Sequence, residues 1–176
     1  MGLARLSKQS QQTRTFLHIL LNKPKKLQKK IAEKLNLDED NVLLGNGIDG
    51  LIAEISRAVL TISSHVVLPQ VTFPNMMFTA KLCGAAISYV SMENEIYLNL
   101  KQFKHVIRAN TKIVYLCNPN NPTGEYLSPE SIINNLYSDD YILIVDEANI
   151  EFCNAARFLA QLCAINGRLK LVKMLK

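Results

Sequence analysis

The apolar residues of this chain form short continuous runs that alternate with segments of helical periodicity. Apolar positions three and four residues apart predict amphipathic helices, whereas short apolar runs bounded by turn residues predict buried strands. The predicted helices cover residues 27–35, 48–60, 74–83, 99–108, a segment beginning at 128, and 155–164. The predicted strands cover residues 42–44, 66–68, 86–90, 112–117, 141–145 and 169–174.

This alternation is typical of a mainly parallel sheet with helices on both faces, because parallel strands are joined by helical crossovers. The predicted fold class is therefore α/β, a three-layer αβα arrangement. Ligands of such sheets bind beyond the carboxyl ends of the strands. The conspicuous polar residues of this chain follow predicted strands, at 46–49, 72–73, 118–124 and 146.

Length and composition favour one globular domain with its own core. The chain has 176 residues, of which 48% are hydrophobic and 20% are charged, which excludes a disordered chain, a collagen and a coiled coil. No apolar run is long enough for a membrane-spanning helix. The four cysteines form no C-x-x-C pair and have no histidine at ligand spacing, so we expect no metal site and a reducing, cytoplasmic location.

The basic charge is concentrated at the amino-terminal end. Residues 1–36 carry nine Lys or Arg residues and one acid, whereas the remainder carries more acids than bases. A nucleic-acid-binding protein would need a basic face across its fold, so we expect no nucleic-acid partner. The acid-free composition of 1–21 leaves an organellar transit peptide as an alternative. We predict instead a segment without a targeting role at 1–24, followed by one domain at 25–176.

Two loops have sequences suited to ligand binding. The string G-N-G-I-D at 45–49 joins a predicted strand to a helix, where free backbone N–H groups can bind an anion. A tight turn that merely carries an acid in the first helical turn is the alternative. The string N-P-N-N-P-T-G at 118–124 is more specific, because two prolines and a glycine fix an irregular backbone directly after a buried strand.

Asp146 ends the apolar run 142–145. A carboxylate at the end of a buried strand is desolvated, and a cationic partner such as a protonated ring nitrogen would stabilise it. A helix cap or a structural salt bridge is the alternative explanation. The residue types alone do not choose between them.

These segments together resemble a known family. G-N-G-I-D, P-Q-V-T-F-P, N-P-N-N-P-T-G and V-D-E-A-N-I-E-F are similar to motifs in the large domain of fold type I pyridoxal-phosphate-dependent aminotransferases, and most similar to the histidinol-phosphate aminotransferases. The resemblance covers the chain from residue 27 onward. It implies pyridoxal 5'-phosphate as cofactor, small-molecule substrates (an amino donor such as histidinol phosphate, and 2-oxoglutarate) and a homodimer. A related threonine-phosphate decarboxylase has similar motifs.

The resemblance implies a role for each matching residue. Backbone N–H groups of Ile48 and Asp49 would bind the cofactor phosphate, and Phe73 would stack on the pyridine ring. Asn121 would donate a hydrogen bond to the ring hydroxyl. Asp146 would pair with the pyridinium nitrogen and keep it protonated, as a catalytic group.

The chain departs from the family pattern at three positions. Asn149 replaces the usual tyrosine of the D-E-A-Y segment, and Ile48 replaces a serine. The family's Schiff-base lysine lies roughly thirty residues after the aspartate, in an S-K-A-F-G segment. Lys176 lies at that separation from Asp146, but Leu175 precedes it. We therefore expect a chain that ends at or just before this lysine, with Lys176 as the candidate catalytic residue.

Three other functions remain open from the sequence. The chain could be a catalytically silent remnant that at most binds pyridoxal phosphate, a related pyridoxal-phosphate-dependent amino-acid phosphate decarboxylase, or an unrelated doubly wound binding domain whose motifs match by accident.

Overall fold

A computed structural model describes residues 25–153 and 171–174. The helices are α1 (Lys25–Leu35), α2 (Gly47–Val59), α3 (Asn75–Leu82), α4 (Phe103–Val106) and α5 (Pro129–Leu136). The strands are β1 (His65–Pro69), β2 (Ala86–Val90), β3 (Met92–Glu93), β4 (Tyr97–Leu98), β5 (Thr111–Cys117), β6 (Ile142–Asp146) and β7 (Leu171–Met174). Short 3-10 helices lie at Glu39–Asn41, Leu100–Gln102 and Ile150–Phe152.

Five strands form one sheet in the order β2-β1-β5-β6-β7, and every neighbouring pair is parallel. The α/β prediction is therefore confirmed. Because all five strands run the same way, their carboxyl ends share one edge of the sheet. Cys117, the last residue of β5, is in register with Asp146, the last residue of β6.

Alternating side chains of the strands pack into two core layers, one on each face of the sheet. On the first face, Ile113, Tyr115 and Cys117 of β5 pack in one cluster with residues of α2 and α3. On the second face, Val114 and Leu116 pack with residues of α4 and α5. The layers confirm the predicted helices on both faces and place Asp146 beside the first layer.

Helix α2 forms because its apolar residues recur at helical spacing. Leu51, Ile52 and Ile55 are buried on one face, as the periodicity predicts. Helix α5 begins as predicted, because the Ser128 hydroxyl accepts a hydrogen bond from the Ser131 N–H at 3.2 Å and Pro129 occupies the first turn.

Three element predictions differ from the structure. Residues 42–44 form no strand in the described part of the chain, where the Gln28 side chain donates to the Val42 carbonyl at 2.9 Å instead. The antiparallel pair β3–β4 was not predicted, because the turn that joins it uses Asn94 and Glu95 at positive φ, not glycine. The predicted helix 99–108 is a 3-10 turn followed by the short α4.

Several predictions fall on residues that the structure does not describe. These are the segment 1–24, the helix 155–164, and Lys176. Among the described helices, none has the length and apolar character needed to cross a membrane.

Candidate functional site

The candidate site lies where loops leave the carboxyl ends of β1, β5 and β6. The Asn118 N–H donates to the Asp146 carbonyl at 2.8 Å, which continues the β5–β6 pairing into the first residue of the N-P-N-N-P-T-G loop. The Thr72 hydroxyl donates to Asn120 Oδ1 at 2.8 Å and so connects the loop after β1 to the same segment. The sequence-predicted polar positions are therefore neighbours in space, as the parallel-sheet argument required.

The first two asparagines of the loop build its backbone. Asn118 Nδ2 donates to the Leu127 carbonyl at 2.9 Å, and the Leu127 N–H donates to Asn118 Oδ1 at 2.8 Å. Asn120 Nδ2 donates to the Val71 carbonyl and to Thr123 Oγ1, both at 2.9 Å. The prolines follow cis peptide bonds, and Gly124 has φ +74°. These side chains are committed to holding the loop in shape.

Asn121 differs from its neighbours in the loop. Its side chain is exposed and forms no hydrogen bond with another described residue. Asn121 and Asn149 line one pocket of about 310 Å³, together with Phe152 and Cys153. The structure therefore brings two predicted site residues together and leaves the amide of Asn121 available to a ligand.

Asp146 is buried, with 3% of its surface exposed. Its Oδ2 accepts from the Tyr115 hydroxyl at 2.9 Å, and its Oδ1 accepts from the Ala148 N–H at 3.0 Å. Burial raises the pKa of Asp146, and the nearby Asp49 carboxylate also raises it, while the two hydrogen bonds oppose the shift. No Lys or Arg of residues 25–153 pairs with it, so within that range the carboxylate forms no salt bridge.

The amino-terminal end of α2 offers backbone donors. The N–H groups of Ile48 and Asp49 lie in the first helical turn and have no partner inside the helix. The Asn46 side chain does not cap them. Gly47 has φ +70°, a conformation that favours glycine, and its Cβ position is open. This end of the helix is suited to an anion, because its donors are free and its dipole is positive.

Asn75 was not predicted as a site residue. Its amide donates to the Asp49 carboxylate, so the first turn of α3 is connected to the first turn of α2. Asp49 is also close enough to Asp146 to affect its pKa. Asn75 thus gives one acid of the site a hydrogen-bond partner.

Phe73 lies in the loop after β1. It is half-buried and packs against the first core layer, which includes Tyr115 and Cys117. Thr72 and Asn120 lie in the predicted segments 72–73 and 118–124, whereas Tyr115 was not predicted as a site residue. Its hydrogen bond to Asp146 joins residues on different strands, and no local sequence pattern marks such a pair.

The donors and acceptors together define a ligand class. They combine free N–H groups for an anion, an aromatic side chain, an unbonded amide, and a desolvated carboxylate suited to a cationic nitrogen. A flat ring that carries an anionic group and a basic nitrogen fits these residues. Within the described ranges no cluster of metal-ligating side chains occurs, and Lys176 lies outside them.

Comparison with known families gives a match over almost the whole chain. The sequence profile described as Aminotransferase class I and II matches residues 4–173. The chain is 37% identical over 134 residues to histidinol-phosphate aminotransferase 2 of Bacillus thuringiensis, which covers 75% of this chain and 36% of the relative. It is 38% identical over 134 residues to the histidinol-phosphate aminotransferase of Staphylococcus carnosus, with 75% and 38% covered.

Solved structures share the fold. The structure of histidinol-phosphate aminotransferase from Sinorhizobium meliloti in complex with pyridoxal-5'-phosphate matches with a TM-score of 0.66 and 28% identity, over 72% of this chain and 35% of that one. A structure from Erwinia carotovora atroseptica matches with a TM-score of 0.77 and 24% identity, over 93% of this chain and 46% of that one. The chain thus spans about a third of the curated relatives and less than half of these structures.

Proposed function

The chain belongs to the class I and II aminotransferase family, and we propose that it binds pyridoxal 5'-phosphate and serves transamination between histidinol phosphate and 2-oxoglutarate. The observation that carries the proposal is the buried carboxylate of Asp146, which has no cationic partner among residues 25–153. The names of the curated relatives support the substrate pair.

Asp146 would pair with the ring nitrogen of the cofactor. Desolvation disfavours an ionised carboxylate, and a cation held against it offsets that cost. The carboxylate would in turn keep the ring nitrogen protonated. When bound, the cofactor supplies an electron-withdrawing ring that stabilises negative charge at the substrate carbon.

The backbone N–H groups of Ile48 and Asp49 would hold the phosphate. They need no particular side chain, so the replacement of the family's serine by Ile48 preserves both donors. Ile48 itself packs against the first core layer, which fixes this turn in place. The hydrogen bond from Asn75 holds the Asp49 carboxylate in a fixed direction in this turn.

The pyridine ring would lie against Phe73 and beside the two amides. Asn121 would donate to the ring hydroxyl oxygen, and Asn149 lines the same pocket. An amide at position 149 can donate a hydrogen bond as a tyrosine would, although it is shorter and not acidic. The pocket would therefore retain ring recognition through two neutral donors.

Lys176 would act as the nucleophilic amine that bonds to the cofactor and then moves a proton at the substrate carbon. The remnant alternative predicts cofactor binding without this step. The two are separated by incubating the purified chain with pyridoxal phosphate, reducing with borohydride, and mapping any labelled lysine. Formation of glutamate from 2-oxoglutarate and histidinol phosphate is measured in parallel.

The expected result is a label on Lys176 with glutamate formation, both lost in Lys176→Ala. Lys173→Ala is the matched control, because it removes a nearby lysine and should retain both signals. Cofactor binding with no labelled lysine would instead support the remnant. The absence of both binding and label would refute the proposed function.

A further inference from the structure

Tyr115 is a buried polar residue whose hydroxyl reaches the candidate site from the neighbouring strand. It lies on β5, two residues before the strand ends, and Asp146 ends the adjacent strand β6. Both side chains lie beside the first core layer, and the Tyr115 hydroxyl donates to Asp146 Oδ2 at 2.9 Å. Tyr115 is fully buried, so no water competes for this hydrogen bond.

In the hydrogen bond between Tyr115 and Asp146, Tyr115 carries the proton and is the donor. Burial raises the pKa of Tyr115 above its ordinary value, and the Asp146 charge raises it further. The neighbouring Cys117 also stays neutral, because burial raises its pKa to about 12, and its thiol donates to the Pro119 carbonyl. Asp146 is therefore the acid of this cluster, and Tyr115 is a permanent donor to it.

The Asp146 carboxylate has hydrogen-bond acceptor positions that no described residue uses. An ionised carboxylate has about four acceptor positions. Tyr115 uses one on Oδ2 and the Ala148 N–H uses one on Oδ1, so each oxygen is fixed in direction and can accept again. A carboxylate held at both oxygens loses little further freedom when a ligand binds.

We propose that Tyr115 is a positioning residue, whose hydroxyl orients Asp146 and stabilises its ionised form so that the carboxylate is preset for a cationic ring nitrogen. This inference rests on the proposed function for the identity of the ligand. Among residues 25–153, the other titratable groups that interact electrostatically with Asp146 are Asp49 at the start of α2 and Cys117 on β5, and the buried Glu147 follows it in the chain.

The test compares Tyr115→Phe with Tyr141→Phe. Both variants remove one hydroxyl from a buried tyrosine and keep its ring. The Tyr141 hydroxyl donates to the Leu136 carbonyl at 2.6 Å and does not contact Asp146. Carbon-13-labelled aspartate allows the Asp146 carboxyl to be titrated by NMR in the cofactor-free chain, and equilibrium dialysis gives the affinity for pyridoxal phosphate.

In Tyr115→Phe, we expect the pKa of Asp146 to rise, because a hydrogen bond to its ionised form is lost. The affinity for pyridoxal phosphate should fall about tenfold, the value of one charge-assisted hydrogen bond. Tyr141→Phe should leave both quantities at the wild-type value. A residue with only a packing role would move neither quantity.

An unchanged Asp146 titration in a folded Tyr115→Phe chain would overturn the inference, whatever the cofactor does. If that variant does not fold, the wild-type chain provides the answer. The Tyr115 ring carbon that bears the hydroxyl should titrate with the midpoint of Asp146, and separate midpoints would refute the coupling. Failure of the wild-type chain to bind pyridoxal phosphate would refute the proposed function and leave the titration result standing.

Discussion

Buried polar clusters lie both at the amino ends of the parallel strands, here called the amino edge, and at their carboxyl ends, the carboxyl edge. Only the cluster at the carboxyl edge has unused hydrogen-bonding capacity. At the amino edge, the His65 ring is fully buried, with Nδ1 2.8 Å from Thr111 Oγ1 and Nε2 2.9 Å from Ser88 Oγ. At the carboxyl edge, Asp146 has no cationic partner among residues 25–153, and the Asn121 amide forms no hydrogen bond within that range.

The difference distinguishes a structural cluster from a candidate binding site. A neutral imidazole has one donor and one acceptor, and at His65 both are used. Burial, and then the charge of Arg108, lower the pKa of His65, which keeps the ring neutral. Such a closed cluster holds β2, β1 and β5 together. A cluster whose buried polar groups lack some partners destabilises the folded chain in the absence of ligand, and a ligand that supplies those partners restores the lost stability.

The largest expected effect is the loss of the closed cluster. His65→Ala should lower the free energy of unfolding by about 3 kcal/mol, because it leaves a cavity and removes one hydrogen bond from each of the Thr111 and Ser88 hydroxyls. Urea denaturation measures this change. His105→Ala is the control, since His105 is exposed and its loss should change stability little. Reduced affinity of the folded His65→Ala chain for pyridoxal phosphate would contradict the separation of the two edges.

Asp146→Asn should reduce the affinity for pyridoxal phosphate and change stability little, the reverse of His65→Ala. We expect the affinity for pyridoxal phosphate to fall about ten- to hundredfold, because the charged partner of the ring nitrogen is removed. The cofactor-free chain should lose far less stability than His65→Ala, since a desolvated charge is removed as well. Dialysis and urea denaturation on the same samples test both statements. A large loss of stability with unchanged affinity would make Asp146 a structural residue.

The smallest expected effect is an opposite response of the two edges to pH. The pKa of His65 is lowered from 6.5, so the unfolded chain binds more protons and the amino edge loses stability as pH falls below 6.5. The pKa of Asp146 is raised from 3.8, so the folded, cofactor-free chain binds more protons there and gains stability as pH falls through that raised value.

Urea denaturation between about pH 7 and pH 4 would separate the contributions of His65 and Asp146 to stability. The loss below pH 6.5 should be smaller in His65→Ala, and the opposing gain should be absent in Asp146→Asn. Identical pH profiles for the wild type and both variants would show that neither cluster controls the pH dependence.

The sheet was predictable because its strands are continuous apolar runs, and β2, β5 and β6 lie within a residue or two of their predicted positions. The strand predicted at residues 42–44 was wrong, because an apolar run indicates burial, whereas a strand also needs a neighbouring strand to pair with. The β3–β4 turn was missed because Asn94 and Glu95 take positive φ without a glycine to signal it.

The parts of the candidate site that could be predicted are those marked by the local sequence around one residue. Asp146 was predicted to be desolvated because it follows an apolar run, and it is buried with no cationic partner among residues 25–153. Tyr115 was not identified, because a tyrosine within an apolar strand looks like an ordinary core residue. Only the pairing of β5 with β6 places its hydroxyl beside Asp146.

The sequence by itself determined the α/β class, the family and the position of the buried carboxylate of Asp146, because these depend on local periodicity and short motifs. The tertiary structure decided which polar groups have partners. His65 and Asp146 both lie in apolar strand segments, yet both ring nitrogens of His65 have partners, whereas Asp146 has no cationic partner among residues 25–153. That distinction depends on side chains of neighbouring strands, far apart in the chain, so strand order and register must be known before it can be drawn.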